Sequence, residues 1–312
     1  MLGGTWFVGR FITTALTAAG HTVLVAHRGM SEPADFPDVQ HVHAARTDWP
    51  DHLATFAAFE PDAAIDVSAG NGAGARAALA ALPAGLRLVA LSSLDVYRAY
   101  EALHNGTQTD AVPLDEESPL RTARYMDAPE WENLEIEETY LQAGATVLRL
   151  GAVYGEHDYQ HRFEPVLRRI RAGRTQLPVG AGTFLFSRIY AGDVAEAVLA
   201  ALSVPGTAGQ CLNISEAQTD PMRLLYQRVI TAAGASLDLV RVPDEALPAD
   251  LRSSAALSQH LLATAARARM MLGWQDKADH HVLRRVVGWH LDHPPGEPDN
   301  DFSSDDLALS GE

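Results

Sequence analysis

The segment MLGGTWFVGR, residues 1–10, decides which fold the chain is predicted to have. Glycines stand at positions 3, 4 and 9, among apolar residues. A glycine-rich turn between a buried strand and a helix presents backbone N–H groups and the positive end of the helix dipole, which together bind a pyrophosphate. Gly3 permits the tight turn, and Gly9 lets the helix pack close to the sheet. The segment therefore predicts a dinucleotide-binding loop.

Two features of this segment depart from the usual pattern. Trp6 stands at the position of the middle glycine, beside the path of the phosphates. Only Met1 and Leu2 precede Gly3, so almost no strand is visible. We expect that the start codon is misassigned and that strand residues lie upstream. The residues of the loop that we predict to bind the cofactor are Gly3, Thr5, Trp6, Phe7, Val8 and Gly9.

Composition restricts the class of protein. The 312 residues carry a formal charge of −16, which disfavours nucleic acid and anionic membrane surfaces as partners. The single cysteine, Cys211, excludes an intrachain disulfide and fits a reducing compartment. No apolar run approaches the roughly 20 residues of a membrane-spanning helix. We predict a cytoplasmic protein that binds neither nucleic acid nor membranes.

Short apolar runs alternate with amphipathic segments in the first half, which is typical of βαβ units around a parallel sheet. We predict an α/β fold, a Rossmann-type doubly wound parallel sheet, with an NAD(P)-binding domain over residues 1–155. A smaller C-terminal substrate lobe is expected over residues 156–295, with some strands returning to the sheet. Residues 296–312 carry six acidic residues and no basic one, so we expect a disordered tail.

The order of several motifs resembles that of a known family. These are LGGTWFVGR, AGHTVLVAHRG, LVALSSLDVY, VLRLGAVYG, IYAGDVAEAVLAAL and LGW. Together they resemble the extended short-chain dehydrogenase/reductase family, the NAD(P)-dependent epimerases and dehydratases, over residues 2–295. The resemblance implies an NAD(P)-binding Rossmann domain and a lobe that binds a small-molecule substrate. Helix-mediated dimers are common for such folds, so a homodimer is one candidate assembly.

The resemblance also places residues around the cofactor. Family members often carry an acidic residue after the second strand to hold the ribose 2′-hydroxyl, whereas Arg28 lies there in this chain. Arg28 would pair with a 2′-phosphate, which favours NADP over NAD, unless it is a solvated surface residue. Ala45 stands where an aspartate commonly contacts the adenine. The remaining residues predicted to contact the cofactor are Ala69, Gly70 and Leu91.

The proton relay of the family is incomplete in this chain. In the family, a tyrosine acts as base or acid, a lysine four residues later lowers its pKa, and a serine or threonine holds the substrate oxygen. Ser93 in LSSLDVY matches the serine, but Tyr125 is followed four residues later by Pro129. An alternative register places Trp131-Glu132-Asn133 where related sequences often show Tyr-Asp-Lys. The single lysine of the chain, Lys277, lies in the distal lobe and fits neither register.

Other groups could replace the missing pair. Glu130 and Glu132 could place a carboxylate near Ser93, and this carboxylate would act as a base if burial raises its pKa. The alternative is that both glutamates favour the positive end of a helix dipole. Tyr125, with Arg124 nearby, is a weaker candidate. The predicted catalytic residues are Ser93, Tyr125 and Glu132.

The substrate side departs from that of nucleotide-sugar enzymes. Ala152 stands where these usually have an asparagine, and Phe186 stands where an arginine grips the diphosphate, with Arg188 two residues on. We therefore predict a substrate that is smaller or more apolar than a nucleotide sugar. Asp193 and Asn213 match structural positions of the family. The histidines at 280, 281, 290 and 293 lack a third ligand at suitable spacing, so no metal site is predicted.

Three functions remain open from the sequence. The first is an NAD(P)-dependent oxidoreductase, epimerase or dehydratase that acts on a small molecule through non-standard acid/base residues. The second is a cofactor-binding sensor or interaction protein that has lost catalysis. The third is a lyase or isomerase that uses the cleft without hydride transfer.

Overall fold

The computed structural model describes residues 1–107, 109–124, 128, 130–296 and 299–311. The strands are β1 (Leu24–His27), β2 (Gln40–His43), β3 (Ala63–Asp66), β4 (Arg87–Ser93), β5 (Thr146–Leu150), β6 (Ala152–Tyr154), β7 (Gln176–Val179), β8 (Arg188–Tyr190), β9 (Cys211–Ile214) and β10 (Asp238–Arg241). The helices are α1 (Phe7–Ala18), α2 (Leu53–Ala58), α3 (Gly72–Ala81), α4 (Arg98–His104), α5 (Asn133–Gln142), α6 (Glu164–Arg171), α7 (Ala191–Ser203), α8 (Met222–Ala232), α9 (Ala266–Leu272), α10 (His280–Asp292) and α11 (Ser303–Ser310). Among the described residues, no helix combines the length and the apolar character that a membrane crossing requires.

Leu2 completes the central parallel sheet. It forms parallel bridges to Ala26 on β1 and to Asp66 on β3, and so joins the pair β1–β2 to the set β3–β4–β5–β9. The N–H of Leu2 donates to the Ile65 carbonyl at 2.8 Å, and the N–H of Val67 donates to the Leu2 carbonyl at 3.1 Å. The strand that the glycine loop requires is therefore present as Met1 and Leu2, and the strand order is β2, β1, Leu2, β3, β4, β5, β9.

Helices cover both faces of this sheet. On one face, Val89 of β4 belongs to the same buried cluster as Ile12 of α1. On the other face, the neighbouring residue Ala90 packs with Ala75 of α3 and Ile136 of α5. Successive residues of a strand point to opposite faces, and a parallel sheet buries both of them. The architecture confirms the predicted α/β fold with a Rossmann-type parallel sheet.

The second half of the chain adds short parallel pairs. β6 pairs with β8, and β7 pairs with β10. β9 lies beside β5 in the main sheet, although β6, β7 and β8 come between these two strands in the chain. The core of this region includes Leu167 of α6, Leu177 of β7, Val229 of α8 and Val287 of α10. Helices α6, α8 and α10 pack around this core, which also includes Leu94 and Tyr97 after β4.

The acidic C-terminal segment is not the disordered tail that composition predicts, because residues 303–310 form α11. Asp305 is fully buried, and its two carboxylate oxygens accept hydrogen bonds from Nε and Nη2 of Arg169 at 2.6 Å each. Arg169 is itself fully buried and also donates to Asp250. The prediction was wrong because composition treats the acidic residues as a solvated run, whereas this segment meets the arginines of α6.

Candidate functional site

The glycine loop lies at the carboxyl end of the central strand, between β1 and β3. The strand order changes direction at this point, and dinucleotides bind at such switch points in open α/β sheets. The N–H of Gly3 donates to the Ala26 carbonyl at 2.9 Å. Gly3 has φ of +73°, and a Cβ on it would lie 2.6 Å from Oγ of Ser68. Glycine is therefore required there both by the backbone conformation and by the nearby turn after β3.

Gly9 brings α1 directly against the loop. A Cβ on Gly9 would lie 2.7 Å from Cα of Gly4, closer than real Cβ contacts. Helix α1 starts at Phe7, and the first N–H groups of a helix have no intrahelical acceptor. No acidic side chain lies in its first turn, so the positive end of the dipole is not neutralised there. This cradle fits a pyrophosphate, which is the central group of NAD(P).

The side chains of Trp6 and Phe7 lie in different environments. The Trp6 ring is 58% exposed and meets Tyr159 edge to face, with 5.5 Å between the centroids. Phe7 is buried and has φ of +34°, a left-handed conformation that is strained for a residue with a side chain. Thr5 is buried, and Val8 is half-buried. The bulky group at the position of the middle glycine thus packs on Tyr159, on the outer side of the loop.

Two arginines near the predicted adenosine end of the cofactor, Arg28 and Arg46, lie in different environments. Arg28 is exposed and forms no ion pair with the rest of the described chain. Arg46, the residue after Ala45, donates to both carboxylate oxygens of Asp66 at 2.7 and 2.8 Å and stacks over the Trp49 ring at 4.5 Å. An arginine that is bound to Asp66 therefore follows the position where the family has its adenine-binding aspartate.

The turn after β3 packs against the segment that precedes α5. Ala69 is buried, and Gly70 has φ of +75°. The Gly70 carbonyl accepts a hydrogen bond from the N–H of Glu132 at 2.8 Å, and a Cβ on Gly70 would lie 2.9 Å from the Glu130 carbonyl. Leu91 is half-buried on β4. The structure thus brings Gly70, predicted to contact the cofactor, next to Glu132, predicted to be catalytic.

Ser93 ends β4 beside a polar pair. Its Oγ accepts the N–H of Asp95 at 3.2 Å, so the Ser93 hydroxyl keeps its own proton as a donor. The Asp95 carboxylate accepts hydrogen bonds from Nδ2 of Asn133 at 2.9 and 3.1 Å. Asn133 is the residue at the lysine position in the alternative register. Ser93, Asp95 and Asn133 therefore form one connected polar group at the carboxyl end of β4. Of these three residues, only Ser93 was predicted from the sequence to be catalytic.

Glu132 is held in a buried ion pair. Arg121 donates to its two carboxylate oxygens, through Nη1 at 3.1 Å and Nη2 at 2.5 Å, and Arg124 lies 3.5 Å away. Glu132 also caps α5 by accepting the N–H of Leu134 at 3.1 Å. Burial alone would raise the pKa of Glu132, but the hydrogen bonds and charge of Arg121 lower it below its usual value. The condition under which Glu132 would act as a base, a pKa raised by burial, is therefore not met, because Arg121 binds the carboxylate.

The tyrosine and the lysine considered in the sequence are not brought together. Tyr125 lies outside the described residues. Lys277 is exposed, and its Nζ pairs with Glu196 on α7 at 3.2 Å. The backbone N–H groups of Lys277 and Ala278 donate to the buried Asp193 carboxylate at 3.1 and 3.0 Å. Asp193 therefore has the structural role expected of it, and Lys277 lies at a surface ion pair.

A buried polar network, which sequence analysis missed, fixes α5 against the sheet. Glu137 accepts two hydrogen bonds from Arg149 of β5, at 2.9 and 2.8 Å, and one from Ser92 of β4, at 2.7 Å. Arg149 also donates to the hydroxyl of Tyr97, which donates to Asn213 at 2.7 Å. Burial raises the pKa of Tyr97 to about 12, so this hydroxyl stays protonated at neutral pH. The network is structural, since its groups are bonded to one another.

A cavity of about 320 Å³ lies between α8, α10 and the end of β6. Its lining includes Tyr154, Arg188 and Glu216. Arg188 is only 7% exposed, and its Nη1 has no hydrogen-bond partner in the described structure. Tyr154 donates to Glu216 at 2.6 Å, and burial lowers the pKa of Arg188. Buried polar groups are normally satisfied, so the Arg188 guanidinium is a donor suited to a ligand.

Comparisons with known proteins agree with this architecture. The model of the NAD dependent epimerase/dehydratase family matches residues 1–215. The 2′-dehydrokanamycin reductase of Streptomyces kanamyceticus is 30% identical over 254 residues, which cover 78% of this chain and 68% of the relative. The chloroplast stem-loop binding protein of 41 kDa b of Arabidopsis thaliana is 26% identical, with 99% of this chain and 83% of the relative covered.

A solved structure shows the same fold. The UDP-glucose 4-epimerase of Stenotrophomonas maltophila, with bound NAD and formylated UDP-arabinopyranose, superposes with a TM-score of 0.72. It is 19% identical, and the match covers 93% of this chain and 96% of that one. The solved structure shows the fold alone, whereas the match to the family model and the identity to the reductase show the family. The chain belongs to the NAD dependent epimerase/dehydratase family.

Proposed function

We propose that this chain binds NADP(H), in preference to NAD(H), and acts as an oxidoreductase, epimerase or dehydratase on a small molecule. The observation that carries the proposal is the glycine loop at the switch point of the sheet, where Gly3 is required by its positive φ and Gly9 by the close approach of the Gly4 backbone. Membership of the family supports it. The bound cofactor would supply hydride transfer, and the chain would supply binding, orientation and proton handling.

Several residues would hold this cofactor. Backbone N–H groups of the loop and of the first turn of α1, from Gly4 to Gly9, would bind the pyrophosphate. Arg28 is exposed beside the end of β1 and would pair with the 2′-phosphate. Ala69, Gly70 and Leu91 would flank the cofactor.

Proton handling would depend on groups other than a tyrosine–lysine pair. We assign the Ser93 hydroxyl to the substrate oxygen, because its Oγ already accepts from Asp95 and its proton can be donated. Glu132 acts as a positioning residue, since its bond to Arg121 and its cap fix the start of α5 and hence Asn133. Tyr125 stays a prediction as the acid or base.

The cavity at Arg188 would take the substrate. It begins at Tyr154, and the next residue, Gly155, lies against the glycine loop, because a Cβ there would be 3.6 Å from the Phe7 ring. Its volume is at the low end for small-ligand pockets. The unpartnered Nη1 of Arg188 would bind a carboxylate, a phosphate or another acceptor on the substrate. A small substrate also fits the departures at Ala152 and Phe186 from nucleotide-sugar enzymes.

Stem-loop binding, which appears in the name of the plant relative, has less support in this chain. The formal charge of −16 opposes the phosphate contacts that supply most nucleic-acid affinity. Binding of a labelled RNA hairpin by the chain can be measured over a range of salt concentrations. Binding that weakens as the salt concentration rises would reveal such an activity, and we expect no binding at physiological salt.

Calorimetric titration of the full chain with NADP⁺, NADPH, NAD⁺ and NADH tests the proposal. We expect the NADP forms to bind at least about tenfold more tightly than the NAD forms. Arg28→Ala should remove that preference, whereas Arg252→Ala, an exposed arginine of the C-terminal lobe, should leave it unchanged. Binding of none of the four at about 1 mM would overturn the proposal.

Turnover separates catalysis from cofactor sensing. Oxidation of NADPH is followed with small carbonyl compounds that carry a carboxylate or phosphate group. Binding of NADPH without oxidation in any of these mixtures would favour the sensor or the non-redox lyase over the reductase.

A further inference from the structure

Three histidines and a glutamate from separate segments meet at the edge of the main sheet. His27 is the last residue of β1, His41 and His43 lie on β2, and Glu32 lies in the connection between the two strands. The parallel register places His43 opposite His27. Residues two apart on a strand point to the same face, so His41 and His43 project together. The fold itself therefore gathers these four side chains.

The donor atoms of the four residues are close enough to share one ion. All of them lie within 4.8 Å of one another. Nε2 of His27 is 2.8 Å from Nδ1 of His41 and 3.3 Å from Oε1 of Glu32, and Nδ1 of His41 is 3.9 Å from the same oxygen. Nε2 of His43 contacts this oxygen as well. In a tetrahedral zinc site with bonds of about 2.0–2.1 Å, neighbouring ligand atoms are about 3.3 Å apart.

The chemistry of this donor set selects a transition metal. Three imidazoles and one carboxylate match the nitrogen and oxygen ligands that Zn²⁺ prefers, whereas Ca²⁺ and Mg²⁺ take mainly oxygen ligands. His27 is buried, but Glu32 and His43 are exposed, which leaves an entry path from solvent. An ion can therefore reach the buried His27 from the side on which Glu32 and His43 are exposed.

Binding of a metal would change both hydrogen bonds of the His27 ring. Nδ1 of His27 accepts the N–H of Gly29 at 3.2 Å, so the neutral ring carries its proton on Nε2, which donates to His41. A metal on Nε2 requires that proton to move to Nδ1, which then becomes a donor, and the Gly29 N–H to turn away. Gly29 is exposed at φ of +73°, in a turn that can make this change.

We propose that His27, Glu32, His41 and His43 form a binding site for a divalent transition metal, with zinc as the preferred ion. The site stands on its own geometry, independently of the cofactor proposal. Sequence analysis missed it because the ligands span 17 positions, from 27 to 43, without a standard spacing, and it considered only the histidines at 280–293.

Cobalt(II) titration of the full chain, purified without a polyhistidine tag and stripped of metal, tests the proposal. We expect one equivalent of Co²⁺ to produce visible d–d bands of a tetrahedral site, which Zn²⁺ then displaces. His41→Ala and His43→Ala should each weaken binding by at least about tenfold. Glu32→Gln, in the exposed connection, tests the fourth ligand with little risk to folding.

A second histidine group supplies the matched control. Asp279, His280 and His281 also lie within ligand distance of one another, but all three are exposed. His281→Ala should leave the cobalt spectrum unchanged. The proposal is overturned if no bands form, if they persist in both β2 variants, or if His281→Ala abolishes them. Circular dichroism of each variant confirms that it is folded, and a rise in Tm of the wild type on adding Zn²⁺ should be absent from His43→Ala.

Discussion

Nδ2 of Asn133 lies 2.9 and 3.1 Å from the two carboxylate oxygens of Asp95. Asn133 begins α5 and Asp95 follows the end of β4 by two residues, so this bond ties the helix to the strand that carries Ser93. An amide supplies hydrogen bonds but no positive charge, and so it cannot lower the pKa of a neighbouring hydroxyl as a lysine does. The same position can therefore hold the site together without activating a tyrosine.

The loss of stability on substituting Asn133 should depend on the charge of the new side chain. Asn133→Ala removes two hydrogen bonds to Asp95, and we expect it to lower the free energy of unfolding by about 1–2 kcal/mol. Asn133→Asp places a second carboxylate against Asp95 and should cost more, because like charges repel. Urea unfolding at pH 7 measures both. The contact has no stabilising role if the aspartate variant is as stable as the wild type.

Ser93 and Ser92 provide a matched pair for the proposed activity. Ser93→Ala should lower kcat by about 10²-fold with little change in stability, because its hydroxyl proton is assigned to the substrate. Ser92→Ala leaves Glu137 with one bond fewer in its buried network with Arg149, so it should lower Tm. Steady-state rates and thermal unfolding of both variants are compared. Equal effects of the two substitutions on kcat would contradict the assignment.

Glu132 should contribute stability only above acidic pH. Arg121 and the cap lower its pKa in the folded state, so the contribution is full above the unfolded pKa of about 4.3 and is lost as pH falls through the folded value. Glu132→Gln leaves Arg121 buried without its carboxylate, and we expect a loss of about 3 kcal/mol at pH 7. The difference from wild type should shrink below about pH 4.

A neighbouring glutamate controls for this experiment. Glu130 is exposed, so Glu130→Gln should behave as the wild type across the same pH series. Urea unfolding between acidic and neutral pH gives the comparison. A loss for Glu132→Gln that stays constant down to the lowest pH would mean that its charge is not what stabilises the fold.

Local signals in the sequence were sufficient for the fold. The β-branched run before Arg28 and the apolar run before Ser93 predict β1 and β4, and the structure places strands there. The glycine loop predicts the switch point, because Gly3 takes a positive φ and Gly9 packs against Gly4 five residues earlier. These features depend on residues that are close in the chain, or on motif order, and both are visible without coordinates.

The site was harder to predict because its decisive contacts are long-range. Arg121 contacts Glu132 across an unperiodic segment, so local reasoning could consider burial of the glutamate but could not identify its partner. His27 meets His43 through strand register, which requires the pairing of β1 and β2 to be known. The environment of Arg188 depends on helices that follow it by more than 30 residues.

Arg188 should contribute to substrate binding but not to the stability of the fold. Arg188→Met removes a buried guanidinium with an unpartnered nitrogen, so we expect unfolding at the same or a higher urea concentration. Its substrate KM should rise, because the donor in the cavity is lost. Arg228→Met removes an exposed partner of Asp220 and should change stability by less than about 0.5 kcal/mol. Destabilisation by Arg188→Met of more than about 1 kcal/mol would assign Arg188 to the fold.

Two adjacent aspartates test how α11 is held. Asp305→Asn leaves the fully buried Arg169 with Asp250 as its one carboxylate partner among the described residues, and we expect a loss of about 3 kcal/mol in the free energy of unfolding. Asp306 pairs with Arg174 at the surface, and Asp306→Asn should cost less than about 0.5 kcal/mol. Both residues lie in the first turn of the same helix, so the effect of the helix dipole is similar in the two variants and cancels in the comparison. Urea unfolding measures the difference. Equal stability of the two variants would mean that the buried, doubly hydrogen-bonded Arg169–Asp305 pair is not what fixes the acidic segment.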